Sequence, residues 1–222
     1  MDNRIEEICK IAYSFKDTVY STYSLAKNLI EDGVAGCFVE CGVAGGAQIA
    51  AMKLAIQDTG SNRTIYGFDS FVGIPLAGEL DDEQPGIGEI EHDKMLPLKD
   101  RLVSSGITVH SKENVETNFQ RYGISMENVF LVEGWFQDTL PGIQNKIGDI
   151  ALLRLDGDLY ESTWVCLENL YDNVVDAGII IIDDYSTLSG ARKAVHDFFD
   201  KKQINPILLE VPGSGGVKWF RK

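Results

Sequence analysis

The amino-acid sequence predicts an α/β protein whose central sheet is mostly parallel and carries helices on both faces. Three observations lead to this prediction. Strand-like and helix-like segments alternate from residue 37 onward. The strand-like segments are continuously apolar, as is typical of strands buried on both faces of a parallel sheet. Two strand-like segments around a PGSGG turn end the chain, which indicates an antiparallel hairpin at one edge of the sheet.

The predicted strands are short apolar runs, most of which end in acid or glycine. In chain order they are CFVECG (37–42), TIYGFD (64–69), VFLVEG (129–134), IALLRLDG (150–157), GIIIIDD (178–184), PILLEV (206–211) and VKWFRK (217–222). Such runs are too short for most helices and are bounded by turn residues.

Helices are predicted between these strands. They cover 45–57, 111–121, 160–174 and 190–202. In three of them apolar residues recur every three or four positions, which is the helical period. The stripe is clearest in 160–174, where it comprises Tyr160, Trp164, Leu167, Tyr171 and Val174.

The segment 72–100 interrupts this compact pattern. It is rich in proline, glycine and acid, and a connection of this length is usually functional or disordered. We interpret it as a lid over the ligand site, with a mobile surface insertion as the alternative. His92 lies within this segment.

Composition and charge limit the possible partners. The 222 residues carry 20 basic and 34 acidic side chains, a net charge of −14, which disfavours binding to nucleic acid or to anionic lipid. No apolar run is long enough to span a membrane, and the acidic N-terminus does not resemble a signal peptide. Four cysteines without paired spacing indicate buried thiols in a reducing compartment. We expect a cytoplasmic protein.

A glycine-containing turn joins the first predicted strand to the following helix. In ECGVAGG (40–46) the glycines allow the backbone to approach a ligand, although the spacing is not that of the dinucleotide fingerprint. Asp69 ends the next strand, where an acid can accept both hydroxyls of a ribose. The glycine turn and Asp69 together indicate an adenosine cofactor, either a nicotinamide dinucleotide or S-adenosylmethionine. Trp135 follows the third strand and offers a surface for an adenine ring, with a tryptophan of the core as the alternative.

Two acidic clusters follow neighbouring apolar strands. Asp156 and Asp158 come after one strand, and Asp183 and Asp184 come after the next. Carboxylates at one rim of a sheet cannot all ionise without a counter-charge. Oxygen ligands of this kind suit Mg²⁺, Ca²⁺ or Mn²⁺, so the sequence predicts a divalent cation here.

Several segments resemble the macrocin- and mycinamicin-type sugar O-methyltransferases, the TylF/MycF family. They are ECGVAGG, FDSFVGIP, VEGWFQDTLP, LLRLDGDLYESTW, GIIIIDDY and GARKAV, and the resemblance runs from about residue 35 to the C-terminus. The pattern of acids also resembles cation-dependent catechol and caffeoyl-CoA O-methyltransferases. The family usually has Trp-Arg between the glycines where this chain has GVAGG, and catechol-type enzymes have a lysine where this chain has Leu159.

The resemblance implies a class I methyltransferase fold with a seven-stranded sheet, S-adenosylmethionine as methyl donor and Mg²⁺ at the acceptor site. The residues that match each role are these: for the metal, Asp156, Asp183 and Asp184; for the cofactor, Glu40, Gly42, Gly45, Asp69, Ser70, Glu133 and Trp135; for the catalytic base, Asp156 or Asp158. The implied acceptor is a hydroxyl of a sugar or a glycosylated small molecule. A phenol, an amine or a phosphorylated sugar remains an alternative acceptor, and an NAD-dependent dehydrogenase remains an alternative enzyme.

Residues 1–34 are predicted to form a helical arm that precedes a methyltransferase domain at 35–222. Positions 3–32 carry apolar residues at helical spacing, and Gly33 is a plausible stop. Such a stripe must be buried, either over the cofactor edge of the same chain or between chains. We favour the second interpretation, which predicts a homo-oligomer, a dimer or a tetramer.

Overall fold

The computed structural model describes residues 3–10, 12–81 and 97–222. Most of the predicted lid, including His92, lies outside the described residues. None of the described helices combines the length and apolar character needed to cross a membrane.

One seven-stranded sheet forms the centre of the molecule. Its strands are β1 (Cys37–Cys41), β2 (Ile65–Asp69), β3 (Val129–Glu133), β4 (Ile150–Leu155), β5 (Val174–Ile182), β6 (Leu209–Glu210) and β7 (Lys218–Arg221). They lie in the order β3-β2-β1-β4-β5-β7-β6. The first five are parallel, and β7 is antiparallel to both β5 and β6. The predicted fold class and its antiparallel C-terminal hairpin are confirmed.

Helices cover both faces of this sheet. They are α1 (Asn3–Cys9), α2 (Lys16–Glu31), α3 (Ala47–Thr59), α4 (Leu98–Arg101), α5 (Lys112–Tyr122), α6 (Phe136–Thr139), α7 (Gln144–Ile147), α8 (Tyr160–Leu170) and α9 (Ser189–Lys202). One core cluster contains α1, α2, α3 and α5 side chains, and a second contains side chains of α8 and α9. Because the strands are apolar on both sides, each cluster is closed by one layer of helices.

The prediction of one helix over 160–174 is wrong at its C-terminal end. Helix α8 stops at Leu170, a 3₁₀ turn follows at Tyr171–Asn173, and β5 already begins at Val174. Val174 is buried as the apolar stripe predicted, but its burial belongs to the sheet. The register between β4 and β5 shifts between Ile150 and Leu152, which accommodates extra residues of β5 around Ala177.

The carboxyl ends of β1, β4 and β5 lie side by side. Cys41 pairs with Leu155, and Leu155 pairs with Ile182. The ladder continues one residue further, because the N–H of Asp156 donates to the Cys41 carbonyl and the N–H of Asp183 donates to the Leu155 carbonyl. The glycine turn and both acidic clusters therefore meet at one edge of the sheet.

The N-terminal arm packs on its own chain. Ile5 and Ile8 of α1 and Val19 and Leu29 of α2 are buried in the same cluster as Ile49 of α3. The apolar stripe of the arm is therefore covered within the monomer and needs no second copy for its burial.

Candidate active site

A cleft of about 470 Å³ opens at the carboxyl ends of the strands. This volume is typical of small-molecule sites. Its walls come from the arm, the glycine turn, the stems of the segment 72–100 and the two acidic clusters. The residues that line it are Tyr13, Ser14, Gly42, Ala44, Asp69, Ser70, Gly73, Ile74, Pro75, Ile107, Thr108, Trp135, Phe136, Gln137, Asp156, Gly157, Asp158, Ser162, Asp183 and Asp184.

Asp69 organises the glycine turn. Its Oδ2 accepts the backbone N–H groups of Val43 at 2.7 Å and Ala44 at 3.0 Å, and its Oδ1 accepts the N–H of Phe71 at 2.7 Å. A carboxylate has about four acceptor sites, so these bonds leave roughly one for a ligand hydroxyl rather than the two required for both ribose hydroxyls. These bonds occupy the N–H groups of Val43 and Ala44, which are therefore not free to bind a phosphate. This favours a cofactor without phosphate groups.

Gly42 is required by the packing of the strands. Its φ is +92°, and a Cβ there would lie 1.8 Å from the carbonyl oxygen of Asp156. Gly42 also lines the cleft. At Gly45 an added Cβ would have room, since its nearest neighbour would lie 3.6 Å away. The predicted cofactor role of Gly45 therefore has no steric support and stays a prediction.

The predicted cofactor residues on β2 and β3 divide into two groups. Ser70 and Trp135 line the cleft beside Asp69, and the Ser70 hydroxyl donates to the Gly73 carbonyl at 2.7 Å. Glu133 is not among the residues that line the cleft; its side chain is 58% exposed, and its carboxylate lies 3.8 Å from the ammonium group of Lys112. The cofactor role of Glu133 stays a prediction without geometric support.

Three acidic side chains converge in the cleft. Asp156, Asp158 and Asp184 each place a carboxylate oxygen within 4.8 Å of the others. Asp158 has a left-handed backbone with φ +60°, and its N–H donates to Oδ2 of Asp184 at 3.0 Å. A cluster of carboxylate oxygens at this spacing matches the donors that Mg²⁺ takes. The residues present therefore fit a divalent cation.

Asp183, the third predicted metal ligand, has a different neighbour. Its Oδ1 accepts a hydrogen bond from Arg154, whose guanidinium also donates to Asp156 at 2.7 Å and to Glu40 at 3.0 Å. Glu40 is 1% exposed and is not among the residues that line the cleft, so its predicted contact with the cofactor stays a prediction. The sequence argument assigned all charge compensation to a cation, and Arg154 provides part of it.

Burial raises the pKa of several acids at the site. It raises the pKa of Glu40 to about 8 and that of Asp183 to about 7, even though Arg154 opposes the shift in both. Burial also raises the pKa of Asp158 and Asp184 well above the ordinary range, and the charge of Asp156 adds to both shifts. Perturbed acids concentrated in one cleft are a mark of a functional site.

Several residues at this site were not predicted from the sequence, among them Arg154, Tyr13, Ser14 and Gln137. Arg154 had one available signal, a charged residue inside an otherwise apolar strand, since a buried charge requires partners. Tyr13 and Ser14 come from the connection between α1 and α2, and Gln137 comes from α6. Nothing in the local pattern around Tyr13 and Ser14 indicates that they reach the cleft, whereas Gln137 lies two positions after Trp135 in the segment VEGWFQDTLP.

The sheet order, the occupied glycine turn and the acidic rim together define a class I methyltransferase. Comparison with known proteins agrees with this class. The family model described as macrocin-O-methyltransferase (TylF) matches residues 18–222. The chain is 36% identical over 194 residues to the 8-demethyl-8-(2,3-dimethoxy-α-L-rhamnosyl)-tetracenomycin-C 4′-O-methyltransferase of Streptomyces olivaceus, covering 87% of this chain and 69% of that protein.

Two further comparisons extend this result. The mycinamicin III 3″-O-methyltransferase of Micromonospora griseorubida is 33% identical and covers 88% of this chain, which spans 72% of that enzyme. The solved O-methyltransferase NovP superposes with a TM-score of 0.76 at 31% identity, covering 94% of this chain and 80% of NovP. The chain therefore belongs to the TylF macrocin O-methyltransferase family and is an S-adenosylmethionine-dependent methyltransferase. This conclusion removes the dehydrogenase alternative.

Proposed function

We propose that this enzyme methylates a hydroxyl of a sugar or of a glycosylated small molecule, with Mg²⁺ bound beside the acceptor. The observation that carries the proposal is one cleft whose walls contain both the glycine turn with Asp69 and the convergent carboxylates of Asp156, Asp158 and Asp184. A donor site and a cation site in the same cleft allow methyl donor and acceptor to be held in line.

The names of the relatives support a sugar acceptor. The Streptomyces olivaceus enzyme is named for methylation of a rhamnosyl-bearing tetracenomycin. The net charge of −14 also favours a neutral acceptor over a phosphorylated one, since an acidic protein repels anions. Apolar side chains of Ile74, Pro75 and Ile107 in the cleft wall suit the non-polar face of a sugar or its aglycone.

Asp156 and Asp184 are the metal ligands we propose with the strongest support, because both the family resemblance and the observed cluster include them. The third ligand differs between the two sources. The family resemblance implies Asp183, whereas the observed cluster of carboxylates contains Asp158. Bound Mg²⁺ would stabilise negative charge on the acceptor oxygen. Oδ1 of Asp183 accepts a hydrogen bond from Arg154, so we propose Oδ2 as the atom with which Asp183 would bind the cation.

We assign the proton acceptor to Asp158. Its carboxylate lies in the cleft, where it can take a proton from an acceptor hydroxyl. Asp156, the second candidate, is engaged by Arg154 at 2.7 Å. In this assignment Asp158 takes the hydroxyl proton on its carboxylate oxygen while S-adenosylmethionine supplies the methyl group.

The test is a methyl-transfer assay with labelled S-adenosylmethionine and a panel of acceptors. We expect transfer to p-nitrophenyl α-L-rhamnopyranoside, loss of transfer in EDTA and recovery with Mg²⁺. Protocatechuate, glucosamine and rhamnose 1-phosphate represent the phenol, amine and phosphorylated-sugar alternatives. Full activity in chelator contradicts the metal, and preferential methylation of protocatechuate contradicts the sugar acceptor.

Two variants distinguish a residue that binds the metal from the residue that accepts the proton. Asp183→Asn should abolish turnover and weaken Mg²⁺ binding while leaving cofactor affinity nearly unchanged, since the metal contacts the acceptor. Asp158→Asn should abolish turnover yet retain most Mg²⁺ affinity if Asp158 is the base. A large loss of Mg²⁺ affinity in Asp158→Asn would instead make it a ligand. Isothermal titration with Mg²⁺ and with S-adenosylmethionine measures both affinities directly.

A further inference from the structure

Arg154 is a buried cation inside the apolar strand β4. Its side chain has no solvent exposure, and its guanidinium reaches carboxylates on three adjacent strands or their ends: Glu40, Asp156 and Asp183. One terminal nitrogen, Nη1, donates to Glu40 and Asp156, and the other, Nη2, donates to Asp183. A planar guanidinium can bridge several carboxylates in this way because its donors point in set directions.

The partners of Arg154 differ in their access to the cleft. Glu40 is 1% exposed, whereas the side chains of Asp156 and Asp183 remain 29% and 18% exposed and line the cleft. Arg154 binds one oxygen of each of these two aspartates. Both aspartates line the same cleft as Asp158 and Asp184, and Asp156 belongs to the convergent group of carboxylates.

We propose that Arg154 is a positioning residue for the cation site, an inference that rests on the metal-dependent function proposed above. Its guanidinium holds one oxygen of Asp156 and one of Asp183, so that the second oxygen of each is oriented for the cation before the cation arrives. It also offsets part of the negative charge that five neighbouring acids would otherwise concentrate. Groups that orient metal ligands from behind in this manner strongly affect metal affinity.

The test compares Arg154→Lys with wild type in the full-length protein. Lysine retains the positive charge but lacks the fork that joins three carboxylates. We expect Mg²⁺ affinity, measured by isothermal titration well below the melting temperature, to fall about 10- to 100-fold, in line with other supporting groups of metal ligands. Affinity for S-adenosylmethionine should change less than threefold, and high Mg²⁺ should restore part of kcat.

Arg63→Lys provides the matched control. Arg63 is a partly buried arginine that donates to the backbone carbonyls of Gly36 and Val34, away from the cleft. We expect Arg63→Lys to lower thermal stability without altering Mg²⁺ affinity. If both variants lose stability and neither changes Mg²⁺ affinity, Arg154 is only structural and the inference is wrong.

A measurement on wild-type protein covers the case in which Arg154→Lys does not fold. In protein labelled with ¹⁵N, Mg²⁺ titration should shift the guanidinium signals of Arg154 with the same dissociation constant that titration calorimetry gives. No shift at saturating Mg²⁺ overturns the inference. Absence of any Mg²⁺ binding to wild type is a different result, because it refutes the proposed metal dependence itself.

Discussion

The side chain of Asp69 holds the glycine turn, and we propose that it also binds the cofactor. It accepts N–H groups from Val43, Ala44 and Phe71 and still lines the cleft. We expect Asp69→Ala to weaken S-adenosylmethionine binding at least tenfold, since a hydrogen bond to a charged group contributes about 1.5–3 kcal/mol. The same change should lower the free energy of unfolding, because the glycine turn loses its acceptor.

Calorimetric titration with S-adenosylmethionine and urea unfolding measure the two effects. Asp176→Ala is the control, since Asp176 is exposed on β5 and lies far along the strand from the cleft. An unchanged cofactor dissociation constant in Asp69→Ala would remove Asp69 from the cofactor site and leave it a structural role.

Burial also determines how reactive the individual cysteines are. Cys37, Cys41 and Cys166 are buried, and Cys9 is partly exposed. Burial raises the pKa of the Cys37 thiol to about 11 and that of Cys166 well above its usual value. Because the thiolate is the reactive form, these thiols should be inert at pH 8. In native protein, a thiol-reactive dye should therefore modify no cysteine rapidly except Cys9. After denaturation it should modify all four cysteines. Rapid reaction of two or more thiols in native protein would contradict this prediction.

At the scale of elements, helix α8 depends on a residue distant in sequence. Its N-cap residue, Leu159, has no side chain that can accept a hydrogen bond. Asp81 takes this role from the stem of the 72–100 segment: its Oδ1 accepts the N–H of Tyr160 at 2.7 Å, while Oδ2 accepts the N–H of Gly78 at 2.8 Å. Because α8 begins at Tyr160, two residues after Asp158, this contact ties the stem to the loop that carries Asp158.

We predict that Asp81→Ala lowers the free energy of unfolding by about 1–2 kcal/mol, the usual cost of losing a helix cap. It should also reduce kcat more than it changes cofactor affinity, because the loop that carries Asp158 loses its support. Urea unfolding and steady-state kinetics test both parts. Ser111→Ala, which removes the side-chain cap of α5, is the comparison: it should cost similar stability with a smaller effect on kcat. Equal effects of the two variants on kcat would contradict the connection.

For the whole molecule, the question is whether the arm joins copies of the chain. We predicted a homo-oligomer partly because the arm's apolar stripe needs burial, and the structure buries that stripe against α3 in the same chain. The oligomer prediction now depends on other surfaces, such as the edge strand β6 with its exposed Leu209 and nearby Ile207. Light scattering at micromolar concentration provides the test, and a 24.5 kDa species would refute the oligomer.

Deletion of residues 1–32 tests whether the arm is part of the folded core. Because α1 and α2 contribute to the main core cluster, the truncated chain should lose stability as well as activity. Thermal unfolding of the truncated and full-length proteins measures this. A truncated chain with unchanged melting temperature would show that the arm is a separate unit, as the division at residue 34 implies.

Local sequence pattern was sufficient for much of this architecture. Apolar period and turn residues located every strand of the sheet, and parallel pairing then required that the acids after β4 and β5 share one rim with the glycine turn. The sequence pattern predicted the ends of helices and strands least accurately, as the C-terminal end of α8 shows. There Val174 satisfies the helical stripe and the strand equally well, and only pairing with Ile150 decides between them.

Other features depended on partners that the sequence separates widely. Glu40 and Arg154 are 114 positions apart, and Asp81 and Tyr160 are 79 apart. A buried charge or an uncapped helix shows that some partner is needed, since burial without one costs free energy. Which residue supplies it depends on how the strands and helices pack. The sequence by itself therefore determined the fold class, the acidic rim and the family, whereas the tertiary structure decided how Arg154, Asp69 and Asp81 connect them.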